Sequence, residues 1–118
     1  MSDETAIATV LPSAAVQTRD WHAWNDFMPP APDYLHVTGE VQVPNPGVDP
    51  ILVVKEPQGI NPSILLLDLY LRQSPGIWPQ IVCWKPVSFQ KLITDKYTEV
   101  TIFSEGTQIA SIPVKDVS

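Results

Sequence analysis

The chain has one cysteine, five glycines, two histidines and seven basic residues among its 118. Each shortage closes off a class of function. Cys83 alone cannot form an intrachain disulfide, and it reads as an apolar thiol in a reducing, cytoplasmic setting. Gly39, Gly47, Gly59, Gly76 and Gly106 are isolated, which excludes a phosphate-cradling loop and a dinucleotide fingerprint. His22 and His36 could complete a zinc site only with carboxylates or Cys83, so no metal and no other cofactor is expected. His36 and Glu40 lie four residues apart on one strand face, roughly 13 Å, too far to share a proton.

Basic residues are scattered. Arg19, Lys55, Arg72, Lys85, Lys91, Lys96 and Lys115 form no stripe, and thirteen acidic residues bring the net charge to −6. Counterion release from nucleic acid needs a positive surface, as does attraction to an anionic membrane. Neither partner is expected. No run approaches the ~20 apolar residues of a membrane helix. The start, Met1 to Leu11, is acidic where a secretory signal would be basic.

Proline, by contrast, is abundant: thirteen residues, about twice the usual ~5%. Prolines 44, 46, 50, 57, 62, 75, 79 and 86 leave strand-sized gaps, and proline is excluded from helix interiors and central strands. In Leu35–Val43, the residues Leu35, Val37, Val41 and Val43 alternate with polar ones, and Gly39 interrupts the apolar row at a possible bulge. Pro44–Gly47 forms a turn, and Ile51–Val54 begins the next strand. Ile64–Arg72 fits a helix by composition, but its period-two alternation favours a strand with Leu65, Leu67, Leu69 and Leu71 on one side. Gln80–Lys85 reads as a short central strand and Phe89–Ile93 as a further one. Tyr97–Phe103 and Gln108–Val114 read as strands joined by a hairpin turn at Ser104–Thr107. Turn signals every ~8–12 residues then predict an all-β, six- to seven-stranded antiparallel sandwich of immunoglobulin-like architecture over residues 34–118.

Residues 1–33 read differently. Residues 2–18 are small, polar and weakly patterned, which suggests a flexible arm. Trp21, Trp24, Phe27 and Met28 follow at spacings of three and four, which would share one face of a short helical or irregular turn, capped by Asp20 and stopped by Pro29. These four side chains are candidates for an interface, either with this chain's own sheet or with a partner. Trp78, flanked by Pro75, Gly76 and Pro79, is a candidate platform for a small ligand or carbohydrate. Asp68, Tyr70 and Arg72 line one face of a strand and form a candidate polar patch.

No nucleophile-elbow or zinc-helix motif is present, so no catalytic residue is assigned. An enzyme would have to use carboxylates in a site formed only in three dimensions, for example Asp68 with His36. The reading is therefore a non-enzymatic interaction module, a homodimer or a subunit docked on a protein partner. A small-ligand or carbohydrate-binding module is the alternative.

Overall fold

The computed structural model describes residues 16–118. It contains seven strands: β1 (Thr18–Asp26), β2 (Asp33–Val43), β3 (Val48–Val54), β4 (Ile64–Gln73), β5 (Cys83–Ile93), β6 (Glu99–Ser104) and β7 (Thr107–Val117). They form one sheet in the order β3-β4-β6-β7-β1-β2-β5. The two ends of that order, β3 and β5, approach one another, so the sheet is nearly closed into a barrel.

Two pairings, β4 with β6 and β1 with β7, are parallel. The sheet is thus mixed, where strand spacing had suggested an antiparallel sandwich. Its single continuous order also differs from the two separate sheets of an immunoglobulin-like layout. Partner choice is non-local, and turn spacing carries no information about it.

The alternating segments bury their apolar rows. Leu35, Val37, Val41 and Val43 of β2 face inward, as do Leu65, Leu67, Leu69 and Leu71 of β4. Val100 and Ile102 of β6 and Ile112 of β7 complete the centre of the core. The β6–β7 hairpin turns on Glu105 and Gly106, both at positive φ, a conformation whose twist suits the flanking strands.

The expected helical or irregular turn at Trp21–Met28 is instead largely strand. β1 lies between β7 and β2, inside the sheet, so Thr18–Asp26 is no separate arm. Residues 2–15 of the expected arm lie outside the described residues. The reason for the strand is a bulge. The β1–β2 register shifts between Arg19 and His22, with Asp20 at positive φ as the extra residue. The shift turns Trp21, Ala23, Asn25 and Phe27 inward and His22, Trp24 and Asp26 outward. A spacing that mimics a helical face is produced by a phase change in a strand.

Prolines also behave otherwise than punctuation. Pro50 lies in β3 and Pro86 in β5, the two strands at the ends of the order, where an N–H is not needed on the outer side. Pro86 therefore does not end a strand, and one long β5 replaces the expected central strand at Gln80–Lys85 and the short one at Phe89–Ile93. Pro113 sits where β7 changes partners, pairing with β6 up to that residue and with β1 from Val114 onward.

Candidate functional site

Two places stand out once the strands are laid down. The first is the fork where β7 leaves β1. Only Ala23–Asp26 pairs with β7, through Val114–Val117. Before that, β7 turns away toward β6, and a cavity of about 380 Å³ opens at the fork. Trp21, His22, Ala23 and Trp24 line it from β1, and Ile112, Pro113, Lys115 and Val117 from β7. Its walls are largely apolar.

Both tryptophans are held in place. The Trp21 ring covers Gly39 of β2, where any Cβ would fall within the ring. Its indole N–H donates to Thr18 Oγ1 at 2.9 Å. Trp24, on the other face, stacks on His36 of β2 with ring centroids 5.1 Å apart and planes 21° from parallel. Tyr34 lies beside His36 at 6.2 Å, and Asp26 Oδ2 is 3.9 Å from His36 Nε2. Trp24, His36 and Tyr34 form an aromatic strip on the outer face of β1 and β2, with the Asp26 carboxylate beside it. Phe27 packs against the core, while Met28 is exposed.

The second place is the β4–β5 loop. From Gln73 to Trp84 no residue is charged. Ile77 is fully exposed, and Ile81 and Val82 are 59% and 60% exposed. The loop is nonetheless pinned. Trp78 lies against Gly47, again where a Cβ would collide with the ring, and its N–H donates to Ser74 O at 3.0 Å. Ser74 N–H donates to Gly47 O, and Asn45 and Gln73 exchange side-chain amide hydrogen bonds below it. One face and the polar edge of the predicted Trp78 platform are therefore used inside the protein.

Asp68, Tyr70 and Arg72 do share the outer face of β4, as their spacing predicts. Asp68 Oδ1 is 3.8 Å from Lys55 Nζ, and Lys55 also lies over the Phe103 ring. Tyr70 is exposed opposite Ile51 of β3, and Arg72 is opposite Asp49. His36 of β2 stands beside Asp26 of β1, in the other half of the sheet, so the structure does not bring His36 and Asp68 together as partners. Among the described residues, no three His, Cys, Asp or Glu side chains converge as a metal cage would require.

Sequence reasoning missed Asn25. This fully buried amide donates to Tyr97 O at 2.8 Å and to Asp116 Oδ1 at 2.9 Å, tying β1 to the β5–β6 loop and to β7. The Asn25 hydrogen bond, with one from Lys96, holds the Asp116 carboxyl below the usual aspartate range. Lys115 and the exposed aliphatics of the β4–β5 loop were also not singled out. The uncharged run from Gln73 to Trp84 was the available signal for the latter.

No family model, curated protein or solved structure matches the chain. Among the described residues there is no helix, and hence none long and apolar enough to cross a membrane.

Proposed function

We propose that the chain is a non-enzymatic interaction module that associates with further copies of itself, with the β4–β5 loop at the contact. The observation that carries this reading is the loop's composition and rigidity. Ile77, Ile81 and Val82 face solvent from a segment without a charge, pinned by Trp78. Burying a fully exposed aliphatic side chain is worth about 1.5–3 kcal/mol, and a pre-ordered loop loses little entropy on docking.

A second copy is the chosen partner because apolar side chains stand at both ends of the sheet. The strand directions put the β4–β5 loop at one end. Met28, Ile60 and Leu92, all exposed, stand at or near the other. Pro50 and Pro86 blunt the strands at the ends of the order, which favours contact through loops and faces over edge-to-edge pairing. The exposed Tyr70 and Val53 on the outer face of β3 and β4 offer a further contact. The lone, half-buried Cys83 suits a reducing, cytoplasmic setting. Light scattering during size-exclusion chromatography tests the reading: a mass above that of one chain supports it, and a monomer at every concentration overturns it.

The cavity at the β1–β7 fork favours a second reading, a small-ligand module, because two immobilised tryptophans line it. Titration of the protein with small aromatic compounds tests that reading independently of association.

A further inference from the structure

We infer that the cavity between β1 and β7 selects small aromatic carboxylates, with Lys115 as the selecting group. This rests on the reading of the cavity as a small-ligand site and names the ligand's chemistry. Ligand pockets commonly span about 300–1,000 Å³. At about 380 Å³ this one stands near the lower limit and suits a body of one or two rings.

The walls favour a flat, apolar body. Trp24 is fixed on its β2 side by His36, and its β7 side borders the cavity. Trp21 is fixed by Gly39 and Thr18. Ala23, Ile112, Pro113 and Val117 supply the remaining apolar surface. Aromatic rings prefer to meet other rings edge-on or offset, and two immobilised indoles provide both surfaces without reordering.

Lys115 supplies the polar selection. It is the β7 residue in register with Trp24 and lines the same cavity. Arg19, Lys55, Lys85 and Lys96 each have a carboxylate oxygen within 4 Å, whereas Lys115, like Arg72 and Lys91, has none among the described residues. Among the described residues, no aromatic ring lies under its ammonium either. Of these three, Lys115 is the one that lines this cavity, which sets an exposed, unpaired cationic side chain at the rim of an apolar hollow. A neutral or cationic ligand would leave it unmatched, whereas a carboxylate would accept a charge-assisted hydrogen bond from it.

The test uses three compounds of one shape: 2-naphthoate, naphthalene-2-methanol and naphthalene-2-methylammonium. Each is titrated into the full chain while the four indole N–H signals are followed by NMR. The expected result is movement of the Trp21 and Trp24 signals with Trp78 and Trp84 still. The acid should bind roughly tenfold more tightly than either analogue. Lys115→Met should reduce the acid to the affinity of the alcohol, while Lys91→Met changes nothing. Equal binding of all three compounds, or an unaltered acid affinity in Lys115→Met, would overturn the carboxylate selection while keeping the site. Stationary Trp21 and Trp24 signals with every compound would overturn the site itself.

Discussion

Trp21 lies over Gly39 and fills the gap that the glycine leaves in the inward row between Val37 and Val41. The two residues depend on one another across the β1–β2 pairing. A bulge in β1 delivers the ring, and the absence of a side chain on β2 receives it. The same device recurs where the β2–β3 turn meets the β4–β5 loop, with Trp78 over Gly47.

The first prediction follows from that pair. Gly39→Ala should destabilise the fold by about 1–3 kcal/mol, the usual range for forcing extra volume into a packed site. The cost should shrink to near zero when Trp21 is already alanine, because the methyl then enters empty space. Urea midpoints of the four proteins in the double-mutant cycle measure this coupling. Additive costs would contradict the ring-over-glycine account.

Asn25 should matter more than its small size suggests. Asn25→Ala removes the donor to the half-buried Tyr97 carbonyl and a donor to Asp116, a loss of about 1–2 kcal/mol, toward the lower part of the usual cost of an unsatisfied buried group. Asn25→Leu, which keeps the volume but not the hydrogen bonds, should be equally unstable. A stable leucine variant in urea denaturation would show that the site needs only volume.

Asp116 gives stability a dependence on acid. Its carboxyl titrates lower in the folded chain than in the unfolded one, because Asn25 and then Lys96 donate to its charged form. Such a group contributes fully above its unfolded value, near 3.9, and the contribution fades as pH falls through the lower folded value. Asp116→Asn should therefore flatten stability against pH below about 4 and leave the slope near neutrality unchanged. Urea midpoints across a pH series check this, and an unaltered acid slope would contradict it.

The β4–β5 loop should behave as a rigid unit. Trp78→Ala removes both the ring over Gly47 and the hydrogen bond to Ser74 O, so amide exchange in residues 75–82 should quicken at least tenfold. Amides of β2 and β4 should keep their protection, since local opening need not involve the core. Hydrogen exchange read by mass spectrometry or NMR distinguishes this local loosening from global destabilisation.

How far the sequence disclosed this architecture depends on how local each feature is. The inward rows of β2 and β4 and the hairpin at Glu105–Gly106 were legible because alternation and turn chemistry are properties of neighbouring residues. Trp21 and Trp24 were misleading because a single extra residue, Asp20, changes the phase of β1. Pro86 was misleading because tolerance of proline depends on β5 having no hydrogen-bonded strand on its outer side. The parallel pairings and the β1–β7 cavity were not legible at all, since they arise from β7 changing partners at Pro113. Of the candidate residues, Trp21 and Trp24 meet at one cavity, while Trp78 anchors the loop whose exposed aliphatics went unnoticed.

The most direct measurement is sedimentation equilibrium of the full chain beside the variant Ile77→Asp/Ile81→Asp/Val82→Asp. All three side chains face solvent, so the variant should fold, with the urea midpoint that the natural chain shows at dilutions where it is dissociated. The account predicts that the natural chain sediments as an assembly that dissociates on dilution, and that the variant remains a single chain at every concentration. Identical masses for the two proteins would contradict it.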